Sequence, residues 1–154
     1  MTAPWQKVSA SNFPWQENSP TSRVERNAHV IRLVYCVTRK PDVDPAEFSK
    51  YWRTEHVALV DRCAEVLKPR QYAQTASLLV ESNWRIMTRR GTERPFDGML
   101  EFWWKNAAEY EKLVNTRGAE QAIERLFADE RRFIDHAQSM AFFTDEAQRV
   151  ECCP

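Results

Sequence analysis

Residues 45–59 read PAEFSKYWRTEHVAL, and the reading of the whole chain starts from this stretch. At 100° per residue, Phe48, Trp52, Leu59, Cys63 and Val66 fall on one narrow face. That spacing predicts an amphipathic helix laid against an apolar layer. Asp44 stands where a cap belongs, Pro45 takes the first helical position and Glu47 is third after the cap, a combination that predicts a helix start. The helix extends to about Leu67, where Lys68-Pro69 ends it. His56 lies four residues after Trp52 and eight after Phe48. An imidazole changes protonation near neutral pH, so one sheltered beside an apolar cavity has the chemistry to move protons on an organic molecule.

Working outward, His29–Arg39 (HVIRLVYCVTR) predicts a strand, with β-branched and aromatic residues on both faces at its centre. Arg70–Glu81 predicts a second strand, and Ser82–Pro95, with its arginines, glycine and proline, an irregular loop. Phe96–Lys105 predicts a third strand. Asn106 caps a second helix, with Glu109 completing a pattern like a capping box; Gly118 interrupts that helix, which resumes from Ala119 to about Phe133. Ser139–Thr144 is the last strand. The order strand, helix, strand, strand, helix, strand is the split βαβ pattern of ferredoxin-like α+β folds, an antiparallel sheet carrying both helices on one face. Strands one and three are apolar on both sides, so the other sheet face also needs cover. A second copy of the same sheet is the simplest cover, which predicts a twofold homodimer.

A length of 154 residues suffices for one domain with its own core. The division expected is an extended arm at 1–28, broken by Pro4, Pro14 and Pro20, a domain at 29–150 and a tail at 151–154. Trp5, Phe13 and Trp15 suggest that the arm packs along the body or a neighbouring subunit. Lysine plus arginine equals aspartate plus glutamate, 22 against 22, so net charge gives no reason to expect nucleic acid or an anionic membrane as partner. No apolar run approaches the roughly 20 residues of a membrane span, and the N-terminus lacks a secretory pattern, so a cytoplasmic location is expected. Cys36 and Cys63 read as small buried hydrophobes. Cys152 and Cys153 read as part of a mobile tail. Three histidines without metal-ligand spacing, and three glycines without a phosphate-cradling motif, give no signal for a metal or nucleotide cofactor.

IRLVYCVTRKPDVDPAEFSKYWRTEHVALV resembles the opening of the EthD family, in which a strand and basic turn precede a Phe-x-x-Tyr-Trp-x-x-x-His helix. Here that pattern is Phe48, Tyr51, Trp52 and His56. FDGMLEFWW is similar to the family's Asp-Gly strand, at Asp97, Gly98, Glu101 and Trp103, and FIDHAQSMAFFTDE to its C-terminal signature, at Asp135, Ser139, Thr144 and Glu146. The resemblance covers about residues 30–150. It implies a dimeric α+β barrel in which small aromatic or polyketide-like molecules bind between the helices and the sheet. It leaves the reaction open, because relatives in the wider superfamily include isomerases, cyclases, cofactor-free monooxygenases and haem-binding proteins.

His56 is the first candidate: a general acid or base in a cavity lined by Phe48, Tyr51, Trp52 and strand aromatics, or else a structural imidazole bonded across the helix–sheet seam. Glu55 is a candidate partner for it. Asp97 and Glu101 share a sheet face with Trp103, and two carboxylates on an apolar face are costly unless bonded or used. Parity places Leu100, Phe102 and Trp104 opposite them without saying which set faces the helices. Tyr35 and Tyr72 are candidate cavity hydroxyls. His29 and His136 read as surface residues. The Arg85, Arg89, Arg90, Arg94 cluster reads as a solvated patch, or as a counter-charge for a carboxylated substrate at a cavity mouth. Together these residues predict a cofactor-independent enzyme that performs dehydration, decarboxylation or isomerisation on a small aromatic or polyketide-like molecule. The alternatives are a non-catalytic accessory protein binding a metabolite or haem, with His56 as axial ligand, and a cofactor-free monooxygenase.

Overall fold

The computed structural model describes residues 29–145. The expected arm at 1–28, the end of the domain from 146 with Glu146, and the tail with Cys152 and Cys153 lie outside them. Strand β1 (Ile31–Val37) leads through a short turn into α1 (Pro45–Tyr51), a π-helical turn (Trp52–His56) and α2 (Val57–Leu67), one continuous rod. Then follow β2 (Gln71–Ala76), α3 (Glu81–Arg90), β3 (Gly98–Trp104), α4 (Ala107–Val114), α5 (Arg117–Glu130), a 3₁₀ turn (His136–Gln138) and β4 (Met140–Asp145). The sheet is antiparallel throughout, in the order β2-β3-β1-β4. This is the ferredoxin-like α+β arrangement expected from the element order. Among the described residues, no helix is long and apolar enough to cross a membrane.

Register settles the parity question. Leu33 pairs with Phe102 and Tyr35 with Leu100, and Leu100, Phe102 and Trp104 are buried against the helices. Met99, Glu101 and Trp103 occupy the outer face beside Val34 and Phe142. The helix start forms as read, with Asp44 Oδ1 accepting from the Ala46 and Glu47 amides at 2.8 and 3.3 Å. Lys68 ends the rod in the left-handed region, at φ 44°.

The inward stripe of the rod departs from the regular spacing. Phe48, Trp52 and Cys63 are buried, but Val66 is exposed, and Val60 and Leu67 fill the core in its place. The π turn inserts one extra residue, so Val60 and Leu67 take the inward places that regular spacing gives to Leu59 and Val66, while Cys63 stays buried. Two other boundaries differ. β2 stops at Ala76, and the segment expected as a loop contains α3, held by the Glu81–Arg85 pair at 2.8 Å and ended by Gly91 at φ 65°. The break in the second helix falls at Asn115–Thr116, because the Thr116 hydroxyl caps α5; Gly118 sits inside its first turn.

Gly98 is required by a close approach. A Cβ there would lie 3.0 Å from the Trp52 indole and 3.1 Å from the Thr75 carbonyl, the same carbonyl that accepts from Trp52 Nε1 at 2.8 Å. Removing the side chain lets the indole lie flat on the strand, which anchors the rod to the sheet.

Candidate active site

A cavity of about 310 Å³ lies between the sheet and α5. Leu33, Leu100, Phe102 and Trp104 form its floor, and Ile123, Leu126 and Phe127 its helical wall. Four polar residues enter it: Tyr35 from β1, Tyr110 from α4, Glu130 from the end of α5 and His136 from the 3₁₀ turn. Three of these form an array. The Tyr35 hydroxyl lies 3.3 Å from Glu130 Oε2, to which it donates, and 3.0 Å from His136 Nδ1.

Local structure fixes each member. Glu130 follows Ala119, Ala122 and Leu126 on the buried stripe of α5, so helical periodicity drives its carboxyl inward to 7% exposure. The turn carrying His136 is tied to β1 at several points. Asp135 N donates to Thr38 O at 2.8 Å, Thr38 N to Ser139 Oγ at 2.9 Å and Thr38 Oγ1 to Gln138 O at 2.9 Å. Asp135 caps the turn through the Ala137 and Gln138 amides. This network sets the imidazole against the Tyr35 hydroxyl.

The electrostatics follow from burial. Desolvation pushes the Glu130 carboxyl up to about 8 from 4.5, with the neighbouring Asp129 charge adding to the rise and the Tyr35 bond opposing it. Desolvation, then Arg131, lower the His136 imidazole, and burial together with Glu130 raises the Tyr35 phenol. A carboxyl that titrates near neutrality beside a neutral imidazole is an acid–base pair suited to physiological pH.

His56 does not line this cavity. Its side chain is 0% exposed, stacked on Trp52 at 4.8 Å between ring centroids and edge-on to Phe133 at 5.3 Å. Nδ1 donates to Asp129 Oδ2 at 3.0 Å, so the carboxylate partner comes from α5; Glu55 is exposed. Burial lowers the imidazole's affinity for protons, and Asp129 partly restores it. Phe48 and Trp52 are core residues of the same stack. Tyr51 donates to Asp129 Oδ1 at 2.5 Å and borders a separate hollow of about 260 Å³ with Arg132 and Phe133. Tyr72 packs on Phe102 and bonds Asp61 at the edge of the sheet.

The carboxylates of the Asp-Gly strand are bonded elsewhere too. Asp97 accepts from the Arg39 amide at 2.9 Å and pairs with its guanidinium at 3.3 Å, pinning the end of β1 to the start of β3. Glu101 pairs with Arg32 at 3.2 Å on the outer face, where Trp103 also stacks under Arg32. Of the residues singled out from sequence, Tyr35 is the one that lines the cavity. His136, read as a surface residue, lies in its wall. Among the described residues, no group of three or more His, Cys, Asp or Glu is placed to hold a metal ion.

A profile of the EthD domain matches residues 40–137, more than half of the chain. The chain belongs to the EthD family. Its fold is shared with an ethyl tert-butyl ether D family protein of Bacillus halodurans C-125, at 14% identity and a TM-score of 0.50, covering 76% of this chain and 98% of that one. It is also shared with the hydroxynitrile lyase of Passiflora edulis, at 8% identity and a TM-score of 0.53, covering 80% and 99%. No curated protein matches the sequence. Within the EthD domain, the matched segment carries both Glu130 and His136 of the array, and Tyr35 joins them from the strand just before it.

Two signals in the EthD domain sequence mark the residues that the reading passed over. A glutamate at the 119-122-126-130 spacing is a charge on an apolar stripe, which is costly without a purpose. The run Asp135-His136-Ala137-Gln138-Ser139 places a histidine between two turn-forming polar residues, and both of them bond backbone here.

Proposed function

We propose that this EthD domain is an enzyme performing acid/base chemistry on a small aromatic or polyketide-like molecule, with Glu130, Tyr35 and His136 as its acid and base. The observation that carries the reading is the continuous array of these three groups at the wall of an apolar cavity. The array has two proton arrangements. With Glu130 ionised, His136 Nδ1–H donates to Tyr35 and Tyr35 donates to Glu130; His136 Nε2 is buried and bonds none of the described residues. When the Glu130 carboxylate takes a proton from a substrate C–H or O–H, the Tyr35 hydroxyl stays between that carboxyl and His136 Nδ1. The array is then the acid form, ready to return the proton to a different atom. Isomerisation and dehydration need that sequence, and the raised Glu130 keeps both forms accessible near neutral pH. The same fold carries a hydroxynitrile lyase in Passiflora edulis, which supports lyase-type chemistry as within its reach.

The test is proton exchange. 2-Tetralone, a neutral aromatic ketone with acidic C–H bonds, is incubated with the protein in D₂O and deuterium uptake is followed by NMR. The protein should accelerate exchange, and Glu130→Gln and Tyr35→Phe should each reduce the acceleration by about a hundredfold or more. Equal rates in the folded variants would remove the array from the chemistry.

We also propose that the outer sheet face is buried against a second copy of the chain. Met140 and Phe142 are 57% and 46% exposed on that face, beside Met99 and Trp103, an apolar surface of the kind that self-association covers.

A further inference from the structure

We propose that the cavity selects uncharged aromatic molecules and turns away their carboxylates, a selectivity that rests on the acid/base reading of the same cavity. Its wall holds one acid, Glu130, and one imidazole, and among the described residues no lysine or arginine lines it. The nearby cations are engaged elsewhere. Arg39 pairs with Asp97, Arg32 with Glu101, and Arg132 with Asp129. Arg131 stacks on Phe127 at 4.4 Å, and with Lys40 it acts on His136 from outside the lining. Arg85 and Arg89, candidates for a counter-charge at the mouth, line a different hollow on α3.

A carboxylate entering this space therefore loses its water and meets no positive partner. With Glu130 ionised it meets a like charge; with Glu130 protonated it meets neutral groups only, none of which balances a buried negative charge. Both proton arrangements of the array reject it. An alcohol, phenol or ketone of the same shape keeps its hydrogen bonds through Tyr35, Glu130 or His136 and buries its ring against Phe102, Trp104 and Phe127. The consequence for the reaction is specific. Decarboxylation of a free carboxylate falls out of the expected set, and enolisation, isomerisation and dehydration of neutral molecules remain.

An isosteric series measures this directly: 2-naphthylmethanol, 2-naphthoate and 2-naphthylmethylammonium, titrated into the full chain at pH 7 by calorimetry. The alcohol should bind at least tenfold more tightly than the carboxylate. Ile123→Lys, which brings an ammonium to the helical wall, should narrow that gap by tenfold or more. Equal affinities for alcohol and carboxylate, or an unchanged gap in folded Ile123→Lys, would overturn the selectivity while leaving the acid/base reading standing. Tightest binding of the ammonium would also overturn it, because Glu130 would then be serving as a buried counter-ion. If none of the three binds, the cavity takes no aromatic ligand, and the acid/base reading falls with the selectivity.

Discussion

Replacing Glu130 by glutamine should make the protein more stable, and by an amount that grows with pH. The carboxyl is 7% exposed, and its proton affinity in the folded state is raised from 4.5 to about 8. A raised carboxyl binds its proton more tightly folded than unfolded. The stability it contributes is thus fully present below pH 4.5 and is lost as the pH climbs to about 8. At about 1.4 kcal/mol per pH unit, the full loss approaches 5 kcal/mol, and water entering the cavity beside the ionised group would reduce it to about half. Glutamine keeps the shape and the hydrogen bond with Tyr35 but never ionises. The two proteins should therefore unfold in urea at similar midpoints at pH 4.5 and diverge steadily, with the variant ahead by about 2–5 kcal/mol at pH 9. His56, lowered by burial, faces Asp129 in both proteins and cancels in the difference. A pH-independent gap would refute the reasoning, since it would mean that Glu130 is ionised at no cost and its environment is not the dry one the packing describes.

Other outcomes follow from the surrounding structure. His56→Ala empties a stacked core position and leaves Asp129 without its imidazole, so it should cost about 3 kcal/mol in urea unfolding, while 2-tetralone exchange per folded molecule stays within a few-fold of the parent. Gly98→Ala drives a methyl to 3.0 Å from the Trp52 ring and 3.1 Å from a carbonyl that cannot yield, and should destabilise by about 1–3 kcal/mol, read as a lowered thermal midpoint. Phe142→Lys places a charge in the proposed interface and should shift the sedimentation coefficient from dimer to monomer at micromolar concentration, with the circular dichroism spectrum unchanged.

The fold was legible because its signals are local and redundant. Asp44, Pro45 and Glu47 mark one helix start, and Asn106, whose side chain accepts from the Glu109 amide at 2.9 Å, marks another. Alternation in FDGMLEFWW marks a strand whichever face turns inward. Which face does so depends on where the helices pack, and that information lies in pairings far apart along the chain, such as Tyr35 with Leu100. The site was less legible for the same reason. Tyr35, Glu130 and His136 are about a hundred residues apart from first to last, and no spacing rule connects them. The Phe-x-x-Tyr-Trp-x-x-x-His pattern attracts attention because it is compact, yet compactness reflects one helix packing on one sheet. Phe48, Trp52 and His56 stack on one another and on Phe133, so their regular spacing records core geometry.

The buried histidine nevertheless bears on the site through the rod that carries it. The π turn puts His56 in phase with Trp52 and Val60, and so brings its Nδ1 to Asp129 on the last turn of α5. Glu130 is the next residue. Tyr51 and Arg132 hold the other oxygen of Asp129, so the carboxylate is gripped from three sides. The backbone beyond it is fixed by the Phe133 and Ile134 amides, which donate to the Glu130 carbonyl at 3.1 and 2.8 Å, and by the Lys40 amide on the Phe133 carbonyl at 2.9 Å. Glu130 thus sits between a clamp on its preceding residue and a clamp on its own carbonyl, with little freedom to swing its carboxyl out to water. A carboxyl held this way keeps its raised proton affinity, because escape to solvent is the usual route by which a buried acid relieves it. In this structure the EthD helix motif and the cavity acid are two ends of one arrangement: the aromatic stack with His56 fixes α5, and α5 presents Glu130 to the cavity.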